Sequence, residues 1–390
     1  MIATEICEKA YCAGCAACFA VCAKRAITMV ADSDGFLYPR INDALCVNCG
    51  RCKKTCPINN HAVKDNIPIK VYAGFNVDKK ILKDSSSGGA FPAFANYIYR
   101  SGGGIAAAAF DERLELKHIV SFDKRDLPKF QGSKYVQSSM LSVYDDIAAA
   151  IQQRKTILFV GTPCQVAGVK AVMGNTDNLY TIDLVCHGVP SPMIFQHYLR
   201  QIGCSDNDRY VDFWFRSKAN SAFFLHSFRK KKGVKKIIPL NKHSFICAYL
   251  KGWLHRESCY HCPFAALPRQ GDCTISDFWG IIGQKVPFGR HFENGISMIM
   301  VNTSKGQTLF EHIKNQLYYE EKTLDDAKID NHNLYSHDIR PEIRSGIYDE
   351  LMTLAPEVFM NKHGLRLPHP RTLKERVVSK VWRWLPIKNK

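Results

Sequence analysis

The sequence contains the stretch CAGCAACFAVC at residues 12–22, and CVNCGRCKKTCP follows at residues 46–57. Each stretch has the spacing Cys-x2-Cys-x2-Cys-x3-Cys, which is the pattern that binds a cubane iron–sulfur cluster. In two-cluster proteins of this kind, three cysteines of a motif bind one cluster and the fourth binds the other. The spacing therefore predicts two 4Fe–4S clusters, one on Cys12, Cys15, Cys18 and Cys56, and one on Cys46, Cys49, Cys52 and Cys22.

Zinc and disulfides explain these cysteines less well. A structural zinc site uses paired Cys-x2-Cys hooks and gives no role to the third cysteine of each motif. Disulfides would need an exported chain, and the start MIATEICEKAYC has neither a basic region nor an apolar segment of a signal peptide. Cys7 lies outside both motifs and is interpreted as a spare buried thiol.

Length and composition place these motifs in a larger protein. The 390 residues are enough for further globular units behind a ferredoxin-sized module. No apolar run reaches the roughly 18 residues that a membrane-spanning helix needs, and free thiols with oxygen-sensitive clusters favour a reducing cytoplasm. The formal charge of +17 suits an acidic partner, a phosphate-bearing ligand or an anionic membrane. Without a recognised binding motif, this charge does not indicate nucleic acid.

The pattern of apolar residues predicts an α+β ferredoxin-like module followed by an α/β domain with a mixed sheet. Within the module, ITMVADSDGFLYPRI is predicted to form a hairpin that turns at Asp34–Gly35. Between about 140 and 200, apolar strands alternate with helical segments, so the loops at the carboxyl ends of parallel strands should share one edge. Residues 210–240 are predicted to form antiparallel strands, and the chain beyond 330 to be polar and irregular.

Four further cysteines lie in predicted loops. Cys164 and Cys186 each follow an apolar strand, and Cys259 and Cys262 form a Cys-x2-Cys hook. Together they could bind a third 4Fe–4S cluster or a zinc ion, while scattered cysteines are often only small buried hydrophobic residues. Spacing alone leaves these alternatives open.

Two glycine-rich or hydroxyl-rich stretches suit a phosphate group. Residues 85–89 read SSSGG and precede a predicted helix, and residues 132–138 read GSKYVQS. Free backbone N–H groups at a helix N-terminus bind phosphate well. Neither stretch fits the dinucleotide fingerprint or the P-loop, so an ordinary turn or helix cap is the competing interpretation.

The motifs, taken together, resemble one known family. DGFLYP, SSSGG, GSKYVQS, LFVGTPCQVAG, DLVCHGVPSP, ESCYHCPFA and TISDFWG occur in the order found in the family of coenzyme F-420 hydrogenase/dehydrogenase beta subunits. The similarity is to the bacterial branch with an N-terminal two-cluster ferredoxin domain, and it covers residues 1 to about 320. The predicted units are 1–62 (ferredoxin), 68–150 (flavin-contacting), 151–325 (cluster and flavin) and 326–390 (basic extension).

The resemblance implies a flavoprotein that carries FAD beside a cluster. It implies that Cys164, Cys186, Cys259 and Cys262 bind the third 4Fe–4S cluster, and that the flavin is contacted by Ser87, Gly88, Gly89, Ser133 and Lys134. His187 and Lys134 are candidates for donating a proton or holding an anionic substrate. Asp277, Phe278 and Trp279 are interpreted as packing around the cofactor.

The implied function is oxidoreduction between a ferredoxin-type donor and a small metabolite. A flavin is needed because clusters carry single electrons whereas most organic substrates take two. The resemblance favours a sugar-linked metabolite, as in polysaccharide biosynthesis, and does not identify the deazaflavin as substrate. The alternatives are a non-catalytic subunit that relays electrons to a partner enzyme, and a partner-binding domain with zinc on its cysteines.

The last segment, RTLKERVVSKVWRWLPIKNK, has apolar residues at helical spacing opposite basic ones. Such a helix could lie on an anionic membrane as a peripheral contact. It could equally dock on the body of the protein through its apolar face.

Overall fold

The computed structural model describes residues 6–60, 68–174, 176–205, 210–218, 225–230, 235–238, 243–292 and 295–365. The predicted C-terminal amphipathic helix and the basic turn at 231–234 lie outside these residues. Among the described residues, no helix is both long and apolar enough to cross a membrane.

The N-terminal module is built on one hairpin and two short helices. The helices are α1 (Ala17–Ala20) and α2 (Arg51–Thr55), and the strands are β1 (Ile27–Ala31) and β2 (Leu37–Ile41). The strands pair antiparallel, from Ile27 opposite Ile41 to Ala31 opposite Leu37. The predicted turn is confirmed, because the Asp32 carboxylate accepts from the N–H groups of Asp34 and Phe36 while Gly35 takes a left-handed φ of 82°.

A mixed sheet of eight strands forms the body of the protein. Its strands are β3 (Lys70–Asn76), β4 (Gly104–Phe110), β5 (Leu116–Ser121), β6 (Ile157–Gly161), β7 (Leu179–Leu184), β11 (Cys273–Asp277), β12 (Ser297–Val301) and β13 (Leu317–Lys322). Their order is β13-β3-β12-β11-β7-β6-β4-β5. Strands β4, β6, β7 and β11 are parallel neighbours, and antiparallel strands flank them on both sides. The predicted units 68–150 and 151–325 therefore contribute strands to the same sheet.

Both faces of this sheet are covered by helices. Ile105 and Ala107 of β4 belong to one buried cluster, whereas Ala106 between them belongs to another. Strand β6 is buried along its whole length, as expected for a parallel strand with two covered faces.

The remaining strands form a separate antiparallel sheet. They are β8 (Tyr210–Ser217), β9 (Leu225–Lys230) and β10 (Lys235–Ile238), in the order β10-β9-β8. The predicted antiparallel pairing within 210–240 is confirmed for the residues that the structure describes.

The helices of the body complete the layers. They are α3 (Lys79–Lys83), α4 (Ala90–Arg100), α5 (Leu127–Phe130), α6 (Val143–Gln152), α7 (Pro163–Met173), α8 (Pro192–Gln201), α9 (Ser244–Leu250), α10 (Trp279–Ile282), α11 (Ser304–Ile313), α12 (Leu324–Lys328), α13 (Ile347–Thr353) and α14 (Pro356–Lys362). Short 3-10 helices lie at Lys9–Tyr11, Lys124–Asp126, Glu257–His261, Lys314–Gln316, His332–Leu334 and Glu342–Ser345.

Residues 331–365 differ from the sequence-based expectation of a polar, irregular segment. Tyr348 and Leu351 of α13 and Phe359 of α14 are buried in the same cluster as helices α8 and α9. The apolar residues of this region recur at helical spacing among polar ones. A short helix with one buried side can therefore form although the average composition of the segment is polar.

Candidate functional site

The predicted ligands of the first cluster, Cys12, Cys15, Cys18 and Cys56, form what we call the inner set. These four side chains are 7–9% exposed and line one small cavity. The loop that carries the first three curls tightly, since Gly14 and Ala16 both take left-handed φ values, 66° and 61°. The fold thus brings together the four thiols that the spacing grouped.

Cys7, interpreted above as a spare thiol outside both motifs, lies beside the inner set. Its side chain lines the same cavity as Cys12 and Cys56. The interaction with Cys7 lowers the pKa of Cys12 and of Cys56 to about 6, and the interaction with these two thiols raises the pKa of Cys7 itself. The spacing argument missed this contact because Cys7 precedes the repeated motif.

The charge balance of the inner set suits a bound cation. Burial raises the pKa of Cys18 to about 12, and the negative charges of Cys12 and Cys56 contribute to this shift. Burial and neighbouring negative charges keep such thiols protonated. Bound iron compensates the negative charge of the thiolates and so stabilises their ionised form. The inner set therefore fits a cluster of iron ions.

The outer set comprises Cys22, Cys46, Cys49 and Cys52. Cys49 is exposed and the other three are partly buried. Burial raises the pKa of Cys52, and the charges of Cys49 and Cys22 add to the shift. Cys22 of the first motif thus lies with the cysteines of the second motif, as the predicted exchange of fourth ligands requires.

The third cysteine set is assembled at the carboxyl edge of the parallel strands. Cys164 follows β6, Cys186 follows β7, and Cys259 and Cys262 lie on or just after the 3-10 helix at 257–261. Burial raises the pKa of Cys259 well above its usual value, and the charges of Cys186, Cys262 and Cys164 add to the shift. The four thiols therefore lie within electrostatic range of each other.

One finding bears on which metal the third set could hold. Among the described residues, no group of three or more His, Cys, Asp or Glu side chains converges closely enough to bind one metal ion. A cubane cluster binds each thiolate through a different iron, so its ligands stand further apart than those of one zinc ion.

The inner set touches the helix that begins at the third set. Helix α7 has Cys164 in its first turn and Gly168 one turn later, on the same face. A Cβ atom at Gly168 would lie 3.2 Å from Sγ of Cys15, closer than ordinary van der Waals contact. Tyr144 also donates a 2.7 Å hydrogen bond to the carbonyl of Cys15. Because Gly168 has no side chain, Cys15 can pack close to helix α7, and the inner set lies close to the third set.

Arg256 lies between these two sets and is 0% exposed. Its Nε donates to the carbonyl of Cys12 at 2.7 Å, Nη1 to Oε1 of Gln137 at 3.0 Å, and Nη2 to the carbonyl of Leu37 at 2.9 Å. The pKa of Cys12 is lowered most by Cys7, and the positive charge of Arg256 lowers it further. Burial raises the pKa of Cys164, and the charge of Arg256 opposes this shift. Sequence reasoning missed this residue, although it stands three positions before Cys259.

A cavity of about 300 Å³ opens beside the third set. Its walls come from the loops that the glycine-rich motifs form, from the ends of β6, β7 and β11, and from helix α10. Cys186 is part of the lining, so the cavity adjoins the third set directly. The predicted meeting of loops at one edge of the sheet is therefore confirmed.

Most predicted flavin contacts lie in this cavity. The lining includes Ser87, Gly89, Ser133 and Lys134, and the two loops are joined where the N–H of Ser133 donates to Ser86 Oγ at 2.7 Å. Gly88 is not part of the lining. A Cβ atom there would lie 2.4 Å from both the carbonyl of Gly74 and the backbone N of Ser297, so this glycine permits close packing of the loop on the sheet.

A chain of hydrogen bonds leads from the cavity wall to the third set. Ser138 Oγ is 2.9 Å from Nδ1 of His118 and accepts from Gln165 Nε2 at 2.9 Å. Gln165 Oε1 accepts from Thr162 Oγ1 at 3.1 Å, and that hydroxyl is 3.2 Å from Sγ of Cys164. Thr162, Cys164 and Gln165 are close in sequence, whereas the fold brings His118 and Ser138 to them.

A buried ion pair forms another part of the wall. Arg216 of β8 donates through Nη1 to Oδ2 of Asp277 at 2.6 Å, and both side chains are less than 10% exposed. The interpretation of Asp277 as packing is incomplete, because its carboxylate fixes the guanidinium at the cavity. Phe278 does pack, at 0% exposure, and Trp279 lines the cavity.

The two predicted catalytic side chains both reach the cavity. His187 lines it, and burial lowers the pKa of the ring while the charge of Asp338 opposes this effect. Burial lowers the pKa of Lys134 to about 7, opposed by Asp212. The ammonium group of Lys134 donates to the carbonyls of Phe130, Gln131 and Gly132 at 2.9–3.3 Å, so it holds its own loop.

Comparisons with known proteins find two families along the chain. Residues 154–327 match the family described as the C terminus of the coenzyme F420 hydrogenase/dehydrogenase beta subunit, and residues 11–60 match the 4Fe-4S dicluster domain. The F subunit of the F(420)H(2) dehydrogenase of Methanosarcina mazei is 23% identical over 193 residues, which are 47% of this chain and 55% of that protein. The match thus spans about half of the relative's length. These matches confirm the family resemblance found in the motifs.

A search of solved structures also finds a similar chain. It is a chain of the F420-reducing [NiFe] hydrogenase complex from Methanosarcina barkeri, with a TM-score of 0.46 and 16% sequence identity. The alignment covers 77% of this chain and 94% of that chain.

Proposed function

We propose that this chain conducts electrons along a fixed route through the two matched domains, the 4Fe–4S dicluster domain and the C-terminal domain of the coenzyme F420 hydrogenase/dehydrogenase beta subunit. The route runs from a cluster on the outer set to one on the inner set, then to one on the third set, and ends at FAD in the cavity. The observation that carries this proposal is the contact of Cys15 with Gly168, one turn after Cys164. Electron transfer between clusters weakens steeply with distance, so close approach decides where electrons cross.

Each cysteine set would hold one 4Fe–4S cluster. The outer ligands are Cys22, Cys46, Cys49 and Cys52, the inner ligands are Cys12, Cys15, Cys18 and Cys56, and the third ligands are Cys164, Cys186, Cys259 and Cys262. Arg256 would favour the reduced state of the inner and third clusters, because each gains a negative charge on reduction.

The cavity residues fit a flavin. The loop at 85–89 and the N-terminus of the eleven-residue helix α4 offer hydroxyl and N–H groups for a pyrophosphate. The apolar wall and Trp279 suit a planar ring, and Arg216 supplies a fixed positive charge beside it. A bound flavin would exchange single electrons with clusters and electron pairs with a substrate.

The protein's own side chains would manage protons and charge at this place. His187 stands in the cavity next to the ligand Cys186, where it can donate a proton or bind an anionic group. Lys134 is proposed mainly to position the flavin loop, since three backbone carbonyls accept its hydrogen bonds. The sugar-linked metabolite implied by the resemblance remains a prediction.

A second candidate function is a relay role without a substrate of its own. It is favoured by the matched relative, which is named as one subunit of a dehydrogenase. In that case the electrons that reach the cavity would pass to a partner enzyme. Turnover of a metabolite by the isolated, reduced chain would separate the two candidates, because a relay protein turns over nothing without its partner.

Metal and flavin analysis of anaerobically purified protein tests the proposal. We expect about twelve irons, from three clusters of four, and one flavin per chain. About eight irons with bound zinc and no flavin would contradict it and would support the zinc alternative for the third set.

A further inference from the structure

The outer set is more exposed than the inner set of the module. The loop between β2 and α2 presents two apolar side chains, Leu45 and Val47, which are 50% and 60% exposed. Cys49 of the same loop is also exposed. The inner set, by contrast, is buried, so within the module an external electron donor can approach the outer set more closely.

Exposed basic residues flank the outer cysteines along the chain. Five exposed cations lie next to the outer cysteines in the chain: Lys24, Arg25, Arg51, Lys53 and Lys54. Only one carboxylate, Asp43, occurs across residues 42–56. Within the described part of the chain, none of the five cations forms an ion pair. Their charge is therefore available to a partner.

We propose that Leu45, Val47 and these five cations form an entry face that docks an acidic one-electron carrier protein. This inference rests on the proposed function, because it needs a cluster on the outer set. Electron-transfer complexes have small interfaces with a minor apolar centre and a charged rim, and opposite charge speeds their association. The entry face has this composition, and its positive charge favours an acidic carrier.

The reaction at the entry face is a single outer-sphere electron transfer. The reduced carrier gives one electron to the oxidised outer cluster and leaves oxidised. No bond forms or breaks, and no proton is needed for the step to balance. The next electron requires a second carrier molecule, so fast association and fast release both matter.

Charge reversal on the entry face tests the inference. The double variant Lys24→Glu/Lys54→Glu changes two side chains that hold no ligand and form no described ion pair. Reduced plant-type [2Fe–2S] ferredoxin, an acidic carrier, is mixed with the oxidised protein in an anaerobic stopped-flow instrument. We expect the second-order rate constant at low ionic strength to fall at least about tenfold. The difference should shrink as added salt screens the charges.

A matched double variant, Lys79→Glu/Arg100→Glu, changes the net charge equally at exposed positions on α3 and α4. It should keep the wild-type rate constant. Equal loss in both variants, or a wild-type rate that does not depend on ionic strength, would overturn the entry face.

Dithionite separates this inference from the proposed function. The double variant is intact if it keeps its full iron content and if dithionite reduces its clusters as in the wild type. An unchanged rate constant with ferredoxin in such a variant overturns the entry face and leaves the proposed function standing. A wild-type protein without iron on the outer set would instead overturn the proposed function. If the double variant loses iron, the milder Lys24→Gln/Lys54→Gln takes its place, with a smaller expected decrease in rate.

Discussion

The module and the body each gather cysteines, but they do so in different ways. In the module, short loops hold each group, so Cys12, Cys15 and Cys18 are neighbours in sequence and in space. In the body, Cys164 and Cys186 meet only because β6 and β7 lie side by side and end at the same edge. Local spacing can therefore predict the first arrangement, whereas the second depends on sheet topology. The comparison also predicts that each arrangement can fail without the other.

Removing one cysteine from each arrangement should give the largest effect. Cys56→Ala is expected to lose the inner cluster, and Cys262→Ala the third cluster, with a loss of about four of about twelve irons in each case. Iron analysis and low-temperature EPR of the reduced variants measure the loss. If Cys262→Ala also emptied the module, the two arrangements would not be independent.

Cys7 complicates the first of these variants because it lines the same small cavity as Cys56. The double variant Cys7→Ala/Cys56→Ala serves as the control. Iron retained in Cys56→Ala but lost in the double variant would show that Cys7 replaces the missing ligand.

The sequence was a good guide to local features and a poor one to distant contacts. The hairpin at Asp34–Gly35 and the grouping of Cys22 with the second motif follow from short segments, and the structure has both. Arg256 was missed because its partner Cys12 is 244 positions away in the sequence. A lone arginine carries no pattern that would reveal such a contact.

The cavity illustrates the same limit. Loops at the carboxyl ends of parallel strands could be placed at one edge from the alternation of strands and helices. The pairing of Arg216 with Asp277 joins the small antiparallel sheet to the large one, and no periodicity predicts which strand of one sheet faces the other.

The ion pair in the cavity gives the second prediction. Arg216→Met should lower the free energy of unfolding by about 3–5 kcal/mol, because it leaves the buried carboxylate of Asp277 unpaired. Chemical denaturation of the variant measures this loss, and flavin content should fall while the module keeps its iron. The double variant Arg216→Met/Asp277→Asn is the control and should recover part of the stability. No recovery would mean that the pair does not account for the loss.

The link between module and body gives the third prediction. Arg256→Met removes the donor of three hydrogen bonds, and we expect the free energy of unfolding to fall by about 2–3 kcal/mol. Arg256→Lys keeps the positive charge but not all the hydrogen bonds. Compared with Arg256→Met, it should restore the midpoint potentials of the inner and third clusters more fully than the free energy of unfolding. Spectroscopic redox titration separates these two contributions. Unchanged potentials in Arg256→Met would remove Arg256 from the account of electron transfer.

The stability of the body should also depend on pH through the buried His118 of β5. Burial lowers the pKa of His118 from 6.5 to about 4, helped by the charge of Lys134 and opposed by the carbonyl of Val160. The unfolded state therefore binds a proton between these pH values and the folded state does not. This contribution to stability is complete above about pH 6.5 and is lost as the pH falls towards 4, by about 1.4 kcal/mol per unit.

His118→Gln should flatten this dependence, as measured by denaturation at several pH values. The exposed His312 offers a matched control, and His312→Gln should leave the slope unchanged. An unchanged slope in His118→Gln would show that other groups set the acid sensitivity.

The central claim is that electrons reach the cavity through the third set. Cys262→Ala tests it most directly, because Cys262 belongs to the third set but does not line the cavity. The variant, loaded with FAD, is mixed anaerobically with reduced ferredoxin, and rapid freeze-quench EPR is combined with flavin absorbance. The account predicts that the module clusters become reduced while the flavin stays oxidised over the time in which the wild-type flavin is fully reduced. Flavin reduction at the wild-type rate would contradict it.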